Sequence, residues 1–431
     1  MKDILLEKVF EAERWEAAIN KGFFKGIDKG ELRQLCSPET RMRLAMAILE
    51  DNYEIAPPHQ ALIPKDNGEF RTVYVNENID RIFLSIVNDL LFELCSDMIH
   101  PACKSYQKGI GCGKVVQEIS RKLQPDLHQH SNDILGFKAD LSKYFDSVPI
   151  EFIDDAFDCV ERRTGKSKVI TILRKYYHTD LCFDPDGNLI KHYQSLKQGC
   201  AVASFLADVM LHHVDLKLYE KSRINMASMY VRYSDDILYI GHQYENAMSI
   251  LEEELNKMSM KLNPKKVEYL TGDKWFKFLG FMIKGSQITL SPNRVKQFQK
   301  EISKRSIGNL NYHIGGKIAL KSINRYLYKG DGTYSWATQV LSIINVEKDI
   351  DTLNEFVMDC IRACQTGKRN IGGLGTVTKR KDCTILRGTG KNVSANRKNT
   401  EKEIEGYYSI RCMQKALNIC RPVYDTIVRE M

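Results

Sequence analysis

The chain has no long apolar run. Nothing in its 431 residues approaches the ~18 consecutive apolar positions that a membrane-spanning helix needs. Its first residues, Met1-Lys2-Asp3-Ile4-Leu5-Leu6-Glu7, carry acids and lack the apolar centre of a secretion signal. They read as an ordinary helix, and the expected location is the cytoplasm. The 12 cysteines include no Cys-x-x-Cys pair. The nearest two, Cys360 and Cys364, stand one helical turn apart with no matching histidines, which argues against zinc and disulfides and for reduced, mostly buried thiols. Acids are scarce in one place: residues 367–400 hold nine Lys or Arg, six Gly and a single acid, Asp382. Such a segment attracts phosphate; as a bland alternative it is a solvated loop. No internal repeat is visible.

What is present fits a globular protein, with 43% hydrophobic and 27% charged residues and a net charge of +8. At roughly 150 residues per domain the length suggests two or three units. Residues 1–50 carry apolar positions at helical spacing (Leu5, Val9, Phe10, Trp15, Ala18, Ile19). Residues 61–75 predict a β-hairpin turning at Asn67-Gly68, followed by a helix over about 79–98. Strand and turn follow at 134–150, then helical patterning over 150–177 and again after Gly199. An Asp-Asp hairpin, a helix over 245–258 and a pair of strands at 276–283 and 287–290 come next. From 293 onward the chain reads as mostly helical, interrupted by the basic segment. This order predicts an α+β fold with helices covering one face of a mainly antiparallel sheet.

The most informative stretch is Tyr230-Val231-Arg232-Tyr233-Ser234-Asp235-Asp236-Ile237-Leu238-Tyr239-Ile240-Gly241. Two adjacent acids at the tip of an apolar hairpin call for a cation between them, and hard carboxylate oxygens suit Mg²⁺. A second acidic position, Asp140 in Phe137-Lys138-Ala139-Asp140-Leu141-Ser142-Lys143-Tyr144-Phe145-Asp146-Ser147-Val148, closes an apolar strand. Alone it reads as a helix cap. With Asp235 and Asp236 it supplies a third carboxylate, the number a two-metal phosphoryl-transfer site requires.

Over residues 60–290 the sequence resembles the prokaryotic reverse transcriptases. The Asp140 segment is similar to that family's first palm motif, and Gln198-Gly199-Cys200-Ala201-Val202-Ala203-Ser204-Phe205-Leu206-Ala207-Asp208 to the second. Tyr233-Ser234-Asp235-Asp236 resembles the third, Leu262-Asn263-Pro264-Lys265-Lys266 the fourth, and Phe278-Leu279-Gly280-Phe281 the primer-grip turn. The resemblance implies a right-hand polymerase. Fingers with N-terminal helices would occupy 1–135, an antiparallel-sheet palm 136–290, and a helical thumb with a basic extension 291–431. It implies an RNA-directed DNA polymerase using two Mg²⁺ ions, with Mn²⁺ as a substitute, held by Asp140, Asp235 and Asp236.

On the same ground Lys266, or Lys265 beside it, would protonate departing pyrophosphate. Arg71 would hold the triphosphate, Phe145 would press on the sugar and exclude a 2′-hydroxyl, and Gln198 and Gly199 would meet the incoming deoxynucleotide. Nucleic acid would be held by Arg81 (beside Asp80), Lys104, Lys108, Lys114, Ser204, Leu279, Gly280 and Arg325, and by Lys368, Arg369, Lys379, Arg380 and Lys381 in the basic segment. Tyr326, Tyr328, Tyr334 and Trp336 stand among Lys321, Arg325 and Lys329, where aromatics either stack bases or pack a core. Lys108-Gly109-Ile110-Gly111-Cys112-Gly113-Lys114 is not a Walker loop, since Lys108 stands where its first Gly is needed and Val115 follows Lys114 in place of Ser or Thr.

Departures from the family pattern narrow the subtype. Ser234 replaces the Ala usual in group II intron enzymes, and Ser204-Phe205-Leu206-Ala207-Asp208 departs from their Ser-Pro-Leu-Leu-Ala-Asn segment. Tyr269-Leu270-Thr271-Gly272 only half matches the retron Val-Thr-Gly. No zinc-type endonuclease cluster or acidic RNase H centre is visible. The chain most resembles the stand-alone, defence-associated bacterial reverse transcriptases of the "unknown" groups. That implies a structured non-coding RNA template as partner, deoxynucleotides as substrates, a cDNA product, an anti-phage role, no membrane and room for a homo-oligomer. A retron or group II intron enzyme, and a polymerase-derived RNA-binding scaffold, are the alternatives.

Overall fold

The computed structural model describes residues 3–21, 24, 26–65, 68–107, 109–123, 134–224, 227–306, 315–330, 335–366 and 406–431. The chain divides into two compact units, Met1–Ile110 with Ile134–Leu270, and Gly111–Asp133 with Thr271–Met431.

In the first unit, four helices (Ile4–Val9, Ala12–Lys21, Lys29–Leu35 and Pro38–Leu49) occupy the N-terminal stretch read as helical. Asp3, Asp28 and Ser37 cap three of them by accepting a backbone N–H, as short polar side chains at an N-cap do. Strands β1 (His59–Pro64) and β2 (Phe70–Val75) pair antiparallel from His59↔Val75 to Pro64↔Phe70. The chain then enters helix Asn78–Leu94, whose Ile82, Phe83, Ile86, Val87, Leu90 and Leu91 are buried. The helix stops short of residue 98: Cys95 leaves helical geometry and a 3₁₀ turn, Ser96–Met98, follows.

Strand β3 (Ile134–Asp140) leads to helices Ile150–Thr164 and Lys168–His178. The single helical stretch expected here is split at Gly165, where φ is +85° and a side chain would be strained. Two three-residue strands, β4 (Leu181–Phe183) and β5 (Leu189–Lys191), were not anticipated. They extend the first hairpin into a four-stranded sheet of order β2-β1-β4-β5, with β4 parallel to β1. Their turn is held by the Asp184 carboxylate, which accepts from the N–H groups of Asp186 and Asn188.

Helices Ala203–Met210 and His212–Ser222 precede strands β6 (Met229–Tyr233) and β7 (Asp236–Ile240). With β3 and β8 (Glu268–Thr271) these form a second sheet of order β6-β7-β3-β8. Helices His212–Ser222 and Tyr244–Lys257 pack on this sheet and on each other. Tight apposition is written into Gly136 of β3, because a Cβ there would lie 2.0 Å from the Tyr239 carbonyl oxygen.

In the second unit, the strand expected over 276–283 is broken by a turn. Leu279 (φ +47°) and Gly280 (φ +80°) reverse the chain between β9 (Phe276–Phe278) and β10 (Phe281–Lys284), and β11 (Gln287–Leu290) completes a three-stranded antiparallel sheet. Helices Cys112–Lys122, Pro292–Arg305, Gly315–Asn324, Glu347–Thr366, Ile410–Ile419 and Arg421–Glu430 belong to this unit, with two π-helical turns, Arg325–Lys329 and Ala337–Leu341. Among the described residues every cysteine is a free thiol, and no helix is long and apolar enough to cross a membrane.

Candidate active site

The acids of the two motifs meet because of strand register. Asp140, the last residue of β3, stands directly opposite Asp236, the first residue of β7. Asp236 in turn pairs with Tyr233 of β6, so Ser234 and Asp235 form a two-residue turn. Such turns follow strand twist when their first central residue takes a positive φ, and Ser234 has φ +58°. The Leu141 N–H donates to the Asp235 carbonyl at 3.3 Å, tying the turn to the end of β3.

The Leu262-Asn263-Pro264 segment is fastened to the same place. Asn263 N–H donates to the Asp140 carbonyl at 2.8 Å, and the Asn263 side chain caps the 3₁₀ turn Pro264–Lys266. That turn sends Lys266 Nζ to Asp140 Oδ2 at 2.7 Å. Burial works against the Lys266 charge, but the bond to Asp140 and the fields of Asp140, Asp235 and Asp236 outweigh it and hold the ammonium above the usual lysine range.

The other two acids are only partly compensated by nearby cations. Burial, then the neighbouring Asp140, pushes the Asp235 carboxyl up. Burial, then Asp235 and Asp140, pushes Asp236 up to about 6. Like charges crowded in a half-buried site favour the proton unless a cation enters. Among the described residues no three Asp, Glu, His or Cys side chains are gathered as a ready-made metal site; Asp140 is instead turned onto Lys266. The donor chemistry, three hard carboxylates on adjoining strand ends, suits an oxygen-seeking divalent ion.

Behind the turn lies a buried network that the sequence reading missed. Ser234 N–H donates to Ser105 Oγ at 2.9 Å, and the Ser105 hydroxyl donates to Asp208 Oδ1. Arg232, wholly buried on β6, uses all five guanidinium N–H groups. It donates to both Asp215 oxygens (2.8 and 2.7 Å) and to the carbonyls of Ser234 (3.1 Å), Asp208 (2.7 Å) and Ala207 (3.3 Å). The turn is therefore gripped at both the N–H and the C=O of Ser234. Asp208 Oδ2 is buried without a hydrogen-bond partner, and burial pushes this carboxyl up to about 6. The available signal was a charged residue inside an otherwise apolar strand (Arg232) and inside an apolar helix (Asp208), both of which need partners when buried.

The Gln-Gly turn is built against β2. Tyr74 N–H donates to the Gln198 carbonyl at 2.7 Å. Gly199 has φ +112°, and a Cβ there would lie 2.8 Å from the Tyr74 oxygen, so the position admits glycine alone. Gln198, Gly199, Ser204, Phe145, Tyr106 and Phe92 line one cleft of about 850 Å³. The Phe145 ring packs edge-on to Tyr144 at 5.6 Å. Arg71 lies exposed on β2, and its field reaches Asp235.

The remaining expected contacts stand elsewhere. Arg81 lies over the Phe24 ring at 5.9 Å and bonds Asn78, while Asp80 is buried and accepts from Tyr53 and Ala56. Lys104 joins β6 through its backbone, donating to the Arg232 carbonyl at 2.8 Å. Lys114, Leu279, Gly280 and Arg325 belong to the second unit. There Tyr328 is buried and bonded to the Tyr408 carbonyl, a core role. Lys108, Tyr334, Lys368, Arg369, Lys379, Arg380 and Lys381 lie outside the described residues, as does Asn67 of the first hairpin.

Residues 63–283 match the family model described as reverse transcriptase (RNA-dependent DNA polymerase). No curated protein matches the chain. Among solved structures it is similar to apo telomerase from Candida tropicalis, with 11% identity over 98% of this chain and 84% of that one and a TM-score of 0.46. Telomerase from Candida albicans, solved with a TWJ fragment of telomeric RNA, is 13% identical over 82% of this chain and 65% of that one, with a TM-score of 0.41. A C-terminally truncated apo telomerase from Candida tropicalis gives 14% over 55% and 56%, with a TM-score of 0.39. The chain thus spans less than two thirds of the length of the last two.

Proposed function

The chain belongs to the reverse transcriptase (RNA-dependent DNA polymerase) family, a family of nucleotidyltransferases, and from that premise we propose that it copies a structured non-coding RNA partner into cDNA. The observation that carries the proposal is the register that sets Asp140 opposite Asp236, with Asp235 at the adjoining turn and Lys266 on Asp140.

Asp140, Asp235 and Asp236 would hold two Mg²⁺ ions, with Mn²⁺ as a substitute. When bound, the ions supply activation of the attacking hydroxyl and neutralisation of the departing pyrophosphate. The chain's own groups do the rest by placement and charge. Arg71, whose field reaches the site from β2, binds triphosphate oxygens as a planar fork. Phe145 and the Gln198-Gly199 turn line one cleft, where the ring stands against the sugar of a deoxynucleotide and excludes a 2′-hydroxyl. Lys266 keeps its proton at neutral pH and presents it at Nζ, beside Asp140, where a leaving phosphate needs a donor. Among the described residues Lys265 makes no such pair; its backbone N–H donates to the Asn263 cap.

The likeness to stand-alone bacterial enzymes supports a dedicated RNA partner and an anti-phage role for the product. The test is to express the chain with its native flanking DNA, purify it, and sequence the nucleic acid that co-purifies, beside an Asp235→Ala/Asp236→Ala control. One discrete RNA with complementary DNA that disappears in the control is the expected result. DNA branched onto its own RNA would instead indicate retron-type synthesis. RNA in both samples with DNA in neither would overturn copying and leave an RNA-binding scaffold.

A further inference from the structure

The second unit contains a cleft of about 440 Å³, within the ~300–1,000 Å³ range of small-ligand sites, which gathers Arg325, Tyr326 and Trp336 from the sequence's aromatic and cationic stretch into one place. Its walls come from the end of helix Pro292–Arg305 and from the two π-helical turns. Arg325 and Tyr326 come from the first π turn, Gln339 from the second, and Trp336 immediately precedes the second. π turns are rare and concentrate at functional sites; two of them facing one cleft is an unusual expenditure of backbone regularity.

The lining is flat and cationic. The Arg305 guanidinium covers one face of the Tyr326 ring at 4.2 Å, and Phe298 backs the Trp336 ring at 4.7 Å. Each ring is thus braced by a neighbour, and both remain partly exposed where they line the cleft. Several polar groups at the cleft have no hydrogen-bond or ion-pair partner among the described residues: the Arg325 guanidinium, the Gln339 carboxamide, the Ser322 hydroxyl and the Trp336 indole N–H. Arg325 is also the middle of a row of exposed cations, Lys321, Arg325 and Lys329, none of which is ion-paired among the described residues.

We propose that this cleft binds one unpaired nucleotide of an RNA strand, with its base on the Tyr326 and Trp336 rings and its phosphate on Arg325. Braced aromatic faces accept any base, a carboxamide reads a base edge, and an unpaired guanidinium takes phosphate as a fork. The row of cations carries the neighbouring phosphates. A duplex does not fit this chemistry, because its bases are already stacked on one another. The identity of the ligand as RNA rests on the reading of the chain as an RNA-copying polymerase.

Binding of a short, fluorescein-labelled single-stranded oligoribonucleotide to the full chain, measured over a range of salt, tests this. Arg325→Gln should bind about tenfold more weakly, with a log K against log[salt] slope shallower by about 0.7, the loss of one phosphate contact on a single strand. Arg325→Lys should keep the slope. Gln339→Ala should weaken binding a few-fold and leave the slope unchanged. The blunt duplex of the same sequence should respond to none of these changes by more than about twofold. 4-Thiouridine in the oligonucleotide should photocrosslink to the peptide holding Tyr326 or Trp336. Unchanged affinity and slope in Arg325→Gln, equal losses on duplex and single strand, or crosslinks that map elsewhere would each overturn the assignment. The polymerase reading fails separately: a wild-type chain that makes no DNA on the RNA that co-purifies with it, yet crosslinks through the cleft, refutes copying and leaves the site standing.

Discussion

Replacing Asp236 by Asn should make the metal-free protein more stable at pH 8 while abolishing synthesis. Burial and the carboxylates of Asp235 and Asp140 push Asp236 from an ordinary 3.8 to about 6. An acid whose folded-state pKa is raised holds its proton more firmly in the fold than in the unfolded chain. Its contribution to stability is therefore intact below about pH 4, is lost as pH climbs from about 4 to about 6, and stays lost above that. A shift of about two units corresponds to about 3 kcal/mol as an upper figure. The side chain is only half-buried and shares its repulsion with Asp235, so solvent screening reduces the expected gain to about 1–2 kcal/mol. Urea denaturation with EDTA present should show a higher midpoint for Asp236→Asn at pH 8, an unchanged m-value, and no difference from wild type at pH 4. Adding Mg²⁺ should stabilise the wild type and narrow or reverse the gap, because a ligand that binds only the folded state adds stability by mass action. A variant less stable than wild type at pH 8 without metal, or equally shifted at both pH values, would refute the electrostatic account of the cluster.

Arg232→Met should lower stability by about 3–5 kcal/mol, because it leaves the buried Asp215 carboxylate and the Asp208 carbonyl without their guanidinium donor and removes the cation 4.0 Å from the Asp208 carboxylate. A loss below about 1 kcal/mol in urea titration would show that the network does not hold the turn. Lys266→Met should reduce single-nucleotide incorporation by at least about 100-fold, against about threefold or less for Lys265→Met; rapid-quench rates that fall equally would remove Lys266 from its assigned place. Gly199→Ala should cost about 1–3 kcal/mol and weaken deoxynucleotide binding, since the new Cβ meets the Tyr74 backbone at a positive φ. A variant with wild-type KM and stability would mean that the Gln198-Gly199 turn yields more readily than its packing indicates.

How much of this was legible beforehand depended on whether the signal was local. The Asp235-Asp236 hairpin could be read directly, because apolar alternation fixes two strands and two adjacent acids mark the turn. The strand ending at Asp140 was equally plain, but its pairing with β7 depends on register across nearly a hundred residues. Spacing alone could not supply that register; motif order did. Between Lys265 and Lys266 the sequence offered no choice. What tells them apart is one tertiary detail, the Asn263 cap on the 3₁₀ turn from which Lys266 meets Asp140. The β4–β5 hairpin escaped notice because each strand has three residues, too few for alternation to show, although Asp184-Pro185-Asp186-Gly187 carried the turn chemistry. The break at Leu279-Gly280 was hidden for the opposite reason: the apolar pattern runs through it, and only the backbone geometry reveals a reversal.

The two kinds of buried charge on strands β6 and β7 explain each other. Arg232 and Asp215 are fully compensated, with every guanidinium donor used, and they fix the end of β6 from behind. Three residues further on, Asp235 and Asp236 are only partly compensated: burial and Asp140 push Asp235 up, and burial, Asp235 and Asp140 push Asp236 up, against the weaker fields of nearby cations. A loose turn would relieve that repulsion by swinging the carboxylates apart into solvent. Ser234 cannot allow it, because its N–H is held through Ser105 and its C=O by Arg232. Rigidity in the compensated network is therefore what keeps the partly compensated pair clustered, and the cluster persists at a cost in stability because the turn has no cheaper conformation to adopt. On this argument, changes at Ser105 or Asp208, both fully buried, should act on synthesis through the placement of Asp235 and Asp236 and leave the affinity for RNA untouched.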